Sequence, residues 1–336
     1  MKKLTLIIII ITLALSSCSD NVFNINVNID NAIGKKVYLQ RVIEGQIVNI
    51  DSASVNDNKV TFEIPISENL DAYHIYVKGW RRAIAFFPDN QDITLTGDFN
   101  KYNQFKIESP SLTQASLEEF TKKFNELENE DEQQFFVFET VWDKPASVLS
   151  PYILYRYKWA FELCELREIV NNFSAELNSG YLDLIKGYIK LLEKTDIGKP
   201  YLDFTLKNLD DQDFSLSSMI GKSKLVMIDF WASWCPDCRV ENPNIVAVYK
   251  DFHEKGLEII SVSLDTDKTA WIKGIEDDNL IWKNHVSDLK GWNCTASQEY
   301  GIAFIPQNVL IDANGSIIAK NLNGESLRMF VEDYLK

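Results

Sequence analysis

The sequence predicts a small antiparallel β-sandwich domain, then a helical segment, then a C-terminal α/β domain. Three observations carry this. Residues 21 to about 108 alternate apolar with polar in short runs separated by Asn, Asp and Gly turns, the pattern of half-buried strands. Residues from about 111 to 193 place apolar side chains at helical spacing. From about 197 onward, strand and helix patterns alternate. A chain of 336 residues with 46% hydrophobic content is expected to form two globular units. The expected limits are 1–17 for a signal segment, 18–110 for the β domain, 111–196 for the helical segment and linker, and 197–336 for the α/β domain.

At the N-terminus, Lys2 and Lys3 form a basic n-region and Leu4 to Leu15 a mostly apolar h-region. That run is too short to cross a bilayer core of about 30 Å as a helix. Leu15-Ser16-Ser17-Cys18 follows and resembles a lipoprotein signal-peptidase box, which implies cleavage before Cys18 and acylation of its thiol. The competing reading is an ordinary signal peptide with an incidental cysteine; the small residues directly before Cys18 favour lipidation. The expected location is the cell envelope, facing the periplasm, with membrane attachment through lipidated Cys18. Ser19 rather than Asp follows the cysteine, which by the enterobacterial sorting rule points to the outer over the inner membrane and leaves surface exposure open.

In the β region, Val22 to Ile29, Lys36 to Gln40, Lys59 to Ile64, Tyr73 to Val77 and Ile93 to Thr96 read as strands. Gly45, Asn56-Asp57-Asn58, Asp89-Asn90 and Gly97-Asp98 supply turns. The aromatic residues here are assigned to the core rather than to a ligand platform. Next, Leu117, Phe120, Phe124 and Leu127 recur at helical spacing. Ser150-Pro151 opens a second helix, since proline is tolerated in a first turn, and a third covers Leu182 to Leu192. The acidic cluster Glu126, Glu128, Glu130, Asp131 and Glu132 reads as a solvated helix end and loop rather than a cation site. Cys164 lies in an apolar helical stretch from Tyr157 and is expected to be a buried structural thiol. Lys194 to Pro200 reads as a linker.

In the α/β region, Lys224 to Phe230 is a central strand and Glu258 to Leu264 another. Asn308 to Asp312 and Ser316 to Ala319 form a hairpin around Ala313-Asn314-Gly315, and a helix from Glu325 to Leu335 closes the chain. The central strand runs into Trp234-Cys235-Pro236-Asp237-Cys238, which opens a helix. A helix start carries positive partial charge and unpaired N–H groups. Both stabilise a thiolate on Cys235, the nucleophile of disulfide exchange. Cys238 reaches Cys235 from the next turn, so the pair can cycle between dithiol and disulfide. A zinc knuckle would need two more ligands, and no second C-x-x-C or H-x-x-x-H exists, so no metal is expected. His74, His253 and His285 form no visible constellation.

The string Asp229-Phe230-Trp231-Ala232-x-Trp234-Cys235-x-x-Cys238 is similar to the active-site segment of the thioredoxin superfamily. Tyr300-Gly301-Ile302-Ala303-Phe304-Ile305-Pro306 resembles the loop that carries that family's cis-proline. Cys238-Arg239-Val240-Glu241-Asn242-Pro243 resembles the C-R-x-E-x-P run of the extracytoplasmic TlpA/ResA-like oxidoreductases. The resemblance covers about 197–336 and implies a thioredoxin-like fold there. The β region resembles the DUF4369-type domain that precedes TlpA-like domains in Bacteroidetes lipoproteins, on a pattern such as Ile50-Asp51-Ser52-Ala53.

Cys235, nearer the helix start and more exposed, is the expected attacking thiol, and Cys238 the resolving thiol. Asp229 is flanked by apolar residues, so burial is expected to raise its pKa and suit it to general-base work. The resemblance implies that it lies beneath the disulfide and manages the Cys238 proton; a solvated strand end is the alternative. Glu241 falls on the same helix side as Cys238. The resemblance implies a supporting proton-transfer or recognition role for it, against the alternative of a surface glutamate. Pro306 is implied to be cis, baring the Ile305 backbone beside Cys235 for strand-like pairing with a substrate peptide. Trp234 and Pro236 are expected docking surface, while Trp231 packs. Asp237 should raise the Cys235 pKa and Arg239 oppose it.

The formal charge of −15 comes without a basic stripe, which makes nucleic acid a poor partner. Export implies an oxidising compartment. After lipidation Cys164, Cys235, Cys238 and Cys294 remain, and one pair has redox spacing; sequence does not fix whether Cys164 could pair with Cys294. The expected function is an extracytoplasmic thiol–disulfide oxidoreductase, a reductase of protein disulfides that uses the Cys235–Cys238 pair and no cofactor. Its expected partners are protein dithiols and disulfides and a membrane electron donor. The rival is an adhesion or ligand-binding lipoprotein with the C-terminal fold as scaffold. Within the enzyme class, a dithiol oxidase or a cytochrome c maturation factor also fits.

Overall fold

The computed structural model describes residues 21–336. The signal segment 1–17 and Cys18 lie outside the described residues. The chain divides into two compact units: one runs through Ile43 and from Ile47 to Glu126, the other comprises Glu44–Gln46 and Leu127–Lys336.

The first unit contains β1 (Val22–Asp30), β2 (Lys36–Ile43), β3 (Gln46–Ser54), β4 (Lys59–Pro65), β5 (Tyr73–Val77), β6 (Ile84–Phe86), β7 (Ile93–Asp98), β8 (Lys106–Glu108) and α1 (Leu112–Glu126). The strands form two four-stranded sheets, ordered β4-β1-β7-β8 and β3-β2-β5-β6. Alternation decides the packing. Phe23, Ile25, Val27 and Ile29 of β1 and Val60, Phe62 and Ile64 of β4 share one core with Val37, Leu39, Tyr73, Ile75 and Val77 of the other sheet. The sandwich is not wholly antiparallel as expected, because β1 and β7 pair in parallel with Ile25 opposite Ile93. A parallel neighbour needs a crossover connection, and β7 follows β1 only after the chain has built the other sheet. Three strands escaped the sequence reading. β3 is exposed at nearly every position, so it has no apolar alternation, and β6 and β8 have three residues each.

The expected 111–196 segment is divided between the two units. α1 stays with the sandwich: Gln114 Oε1 accepts the Phe87 N–H at 3.1 Å, and the Ser111 hydroxyl donates to Asp89 at 2.7 Å. The second unit begins with α2 (Glu130–Trp142), α3 (Leu149–Tyr157), α4 (Leu163–Asn172) and α5 (Gly180–Lys194). Asn129 caps α2 by accepting the Glu132 N–H at 2.8 Å. Glu130, Asp131 and Glu132 then occupy its first turn, where carboxylates suit the helix dipole. The stretch from Tyr157 to Cys164 is not one helix. A 3₁₀ turn over Lys158–Ala160 and an extended Phe161 separate α3 from α4. The break takes Cys164 off the buried face made by Leu166 and Ile169, so this thiol is exposed and free rather than buried as expected. Residues 194–200 are pinned to the sheet that follows. The Gly198 N–H donates to the Ile317 carbonyl and the Ile317 N–H to that of Lys199, both at 2.8 Å.

The rest of the unit contains β9 (Thr205–Asn208), β10 (Asp213–Ser215), β11 (Leu225–Trp231), α6 (Pro236–Phe252), β12 (Leu257–Ser263), α7 (Lys268–Asp277), β13 (Asn284–Ser287), α8 (Thr295–Glu299), β14 (Gln307–Asp312), β15 (Ile317–Lys320) and α9 (Gly324–Tyr334). The seven strands order as β10-β9-β13-β12-β11-β14-β15. β11, β12 and β13 run parallel, and β14 is antiparallel to β11. β11 is buried along its whole length, as a strand covered on both faces is. Its end at Trp231 and the start of α6 at Pro236 bracket the loop that carries the first cysteine of the motif.

Candidate active site

Cys235 and Cys238 are joined as a disulfide across the first turn of α6, with their Cα atoms 5.3 Å apart. Cys235 is the N-cap residue, and the Cys238 N–H points at its Sγ at 3.1 Å. Pro236 takes the first helical position, where no donor is required. When the pair is reduced, this N–H and the helix start favour a thiolate on Cys235. Cys235 is 4% exposed and Cys238 0%, so an incoming group can meet only Cys235. Cys235 is the more accessible of the two sulfurs, although it is far less exposed than a surface thiol.

The loop before the motif is held by a second buried carboxylate that sequence reading did not single out. Asp265 accepts from the Ser233 N–H at 3.0 Å, the Ser233 hydroxyl at 2.6 Å and the Ser263 hydroxyl at 2.8 Å. Gly274 of α7 lets this loop come close, since a Cβ there would meet the Ser233 Cβ at 2.8 Å. Trp231 is wholly buried, as expected. Arg239 does not act as a free counter-charge to Asp237. Its guanidinium is engaged by Asp278 and, at 3.7 Å, by Asp277, and it donates to the Ser233 carbonyl at 3.1 Å.

Asp229 is 1% exposed in β11. Burial pushes its pKa up to about 7; a hydrogen bond from Ser261 pulls against this and the Glu241 charge adds to it. Ser261 is its register partner on β12, with the hydroxyl 2.8 Å from Asp229 Oδ2. The Trp282 indole N–H reaches the same hydroxyl at 3.0 Å. Neither partner carried a local signal in the sequence, because strand register brings the first and a distant loop the second. Glu241 is half-buried, and its Oε1 accepts the Gly324 N–H at the start of α9 and the Asn244 amide, each at 2.8 Å. Its position therefore joins α6 to α9, and its side chain lines the same cleft as Cys235.

The Ile305–Pro306 peptide is cis. It brings the Ile305 carbonyl oxygen to 3.6 Å from Cys235 Sγ. Trp234, Cys235, Pro236, Asp237, Glu241, Ile305 and Pro306 line one open cleft of about 820 Å³. Trp234 is 52% exposed and its ring lies 6.3 Å from that of Trp292. Asp229 and Cys238 are buried and do not line the cleft. The same cleft is walled by Glu130 and Asp131 of α2 and by Trp159. The first two read in sequence only as a solvated helix end. Of the other thiols, Cys294 is buried and burial pushes its pKa up to about 11, which keeps it protonated. Burial likewise holds His285 down to about 4, hence neutral. Among the described residues, no group of three or more His, Cys, Asp or Glu is placed to hold a metal ion.

Residues 197–320 match the AhpC/TSA family, and residues 23–114 match a domain of unknown function, DUF4369. The chain is 32% identical over 153 residues to the thiol-disulfide oxidoreductase ResA of Bacillus cereus, which covers 46% of this chain and 84% of that protein. It is 31% identical over 121 residues to the thiol:disulfide interchange protein DsbE of Pseudomonas aeruginosa, covering 36% and 63%. A solved C-terminal domain of a putative thiol-disulfide oxidoreductase from Bacteroides thetaiotaomicron aligns with TM-score 0.40 and 35% identity, over 42% of this chain and 97% of that one. The C-terminal region is thus a thioredoxin-like domain, in which the Cys235–Cys238 disulfide sits at a helix start beside the cis-proline loop, and the chain belongs to the ResA-type thiol-disulfide oxidoreductases with an N-terminal DUF4369 domain.

Proposed function

We propose that this oxidoreductase acts outside the cytoplasm as a reductase of protein disulfides. The observation that carries the reading is the inequality of the two sulfurs: Cys235 opens to a cleft large enough for a peptide segment, and Cys238 is enclosed. In the reduced protein the Cys235 thiolate attacks one sulfur of a substrate disulfide. A mixed disulfide forms and the first substrate thiolate leaves. Cys238 then gives its proton to Asp229 and attacks Cys235 Sγ, which re-forms the internal disulfide and releases the second thiolate. Two electrons pass from the dithiol to the substrate, and a dithiol donor at the membrane restores the pair. With a pKa of about 7, Asp229 can take up that proton near neutral pH and give it up again. The Ile305 carbonyl is a backbone acceptor for a substrate N–H beside the reacting sulfur, and Trp234 and Pro236 supply apolar contact. The tether is an acyl chain on Cys18, supported by the Leu15-Ser16-Ser17-Cys18 box. The attachment is tested by palmitate labelling of wild-type and Cys18→Ala protein.

The test of the activity is reduction of insulin with dithiothreitol as dithiol donor. The protein should accelerate precipitation of the insulin B chain, and Cys238→Ser should trap mixed disulfides instead. A rate equal to that of dithiothreitol alone would defeat the reading.

A further inference from the structure

We propose that the redox cleft selects disulfides carried on cationic polypeptide segments, and that the helices between residues 127 and 196 confer this selectivity. The proposal rests on the reductase reading above. The thioredoxin-like domain supplies one side of the cleft, with Trp234, Asp237 and Glu241 beside Cys235. The other side comes from outside that domain: Glu130 and Asp131 in the first turn of α2, and Trp159 in the turn after α3. This wall is built rather than incidental. The Gln134 amide donates to the Ala160 carbonyl at 2.6 Å and fastens α2 to the Trp159 turn. The Trp159 ring meets Phe304 of the cis-proline loop edge-on at 6.3 Å.

The charge in the cleft has one sign. Four carboxylates line it, and among the described residues no Lys, Arg or His does. Glu130, Asp131 and Asp237 make no ion pair among the described residues, so they stand ready for a partner's cations. A concave wall of one charge focuses its field inward, and the chain's net −15 adds a longer-range pull on cations. The indoles of Trp159 and Trp234 are 38% and 52% exposed and offer π faces that also favour Lys and Arg. A volume of about 820 Å³ admits an extended segment with a few side chains. An anionic segment would bring like charges together beside the sulfur it must reach.

The experiment compares two short peptides that carry the same intramolecular disulfide, one flanked by Lys and one by Glu. The full chain is assayed with dithiothreitol as donor. At low salt kcat/KM should favour the Lys peptide roughly tenfold, since exposed charge pairs each contribute about two- to fivefold. The ratio should shrink at 0.5 M NaCl, where the screening length falls to a few ångströms. In Glu130→Gln/Asp131→Asn, which keeps the Asn129 cap, the ratio should fall roughly threefold or more through KM for the Lys peptide. Trp159→Ala should weaken the same peptide independently. Equal kcat/KM for both peptides in the wild type would overturn the proposed selectivity and leave the reductase reading standing. A ratio unchanged in the double variant would overturn the role given to the helices. Reduction of neither peptide by the wild type would overturn the reductase reading and this proposal with it.

Discussion

Ser261 holds its hydroxyl 2.8 Å from Asp229 Oδ2, across the parallel strands β11 and β12. When Asp229 is ionised the direction of this hydrogen bond is fixed, because a carboxylate only accepts. The Trp282 indole N–H donates to the same hydroxyl oxygen at 3.0 Å, and an indole nitrogen cannot accept. Ser261 accepts from Trp282 and turns its single proton to Asp229. The chain of donors ends on a buried carboxylate, where it partly offsets the cost of burying the charge.

Asp229→Asn should slow disulfide exchange while stabilising the oxidised fold. General-base contributions are typically ~10²–10⁴-fold, and thiol exchange near neutral pH will show the lower part of that range. The stability effect has a definite pH signature. Burial raises the folded pKa to about 7, above the ordinary carboxylate value of 3.8. Between those values the unfolded chain has released a proton that the native state keeps, so wild-type stability falls as pH rises through that window. The variant lacks this loss. Its advantage should be nearly absent at pH 3.5 and grow to about 4 kcal/mol above pH 7. Thermal unfolding of both proteins across pH measures it, and parallel Tm curves would mean that Asp229 does not titrate in this range.

Ser261→Ala removes the hydrogen bond that favours the Asp229 carboxylate, so the pH limb of the exchange rate should move to higher pH. It also leaves the Trp282 N–H without this partner, at a cost of about 1–3 kcal/mol. Ser261→Thr keeps the hydroxyl and should restore the pH limb. A loss of stability with no movement of the limb would make Ser261 only a packing residue.

Glu241 has two separable duties. Its Oε1 anchors the start of α9 through the Gly324 N–H, and its charge raises the Asp229 pKa. Glu241→Gln keeps an oxygen acceptor, so stability should change by less than about 1 kcal/mol while the pH limb moves to lower pH. Glu241→Ala should lose about 1 kcal/mol or more, because the Gly324 N–H and the Asn244 amide lose this acceptor. Equal destabilisation by Gln and Ala with no movement of the limb would leave Glu241 a purely structural role.

In the reduced, folded protein, iodoacetamide should label Cys235 first, because its thiolate is stabilised at the helix start. Cys164, exposed at the start of α4, should follow, and Cys294, with its pKa pushed up to about 11, should resist until unfolding. Peptide mapping of brief labelling reads the order. Labelling of Cys238 ahead of Cys235 would reverse the roles given to the two thiols.

The disulfide at the helix start was legible in the sequence because its signals are local. A buried strand, two cysteines three apart and a proline at the first helical position fall within a dozen residues around Cys235, and backbone geometry alone turns them into a strand–loop–helix with a thiol at the helix start. The burial of Asp229 followed from its apolar neighbours, and the major strands of both units from alternation. The remainder needed the tertiary structure. Ser261 meets Asp229 only through strand register, and Asp265 holds the Ser233 loop from the far end of β12. Cys164 emerged at the surface because the helix breaks after Tyr157, a change of phase that an apolar run cannot reveal. Glu130, Asp131 and Trp159 stand about 75 to 105 residues before Cys235, so no local pattern links them to it. The sequence by itself determined the chemistry of the sulfur pair; packing between distant segments decided which side chains surround it, because a cleft wall is a property of contacts and not of spacing.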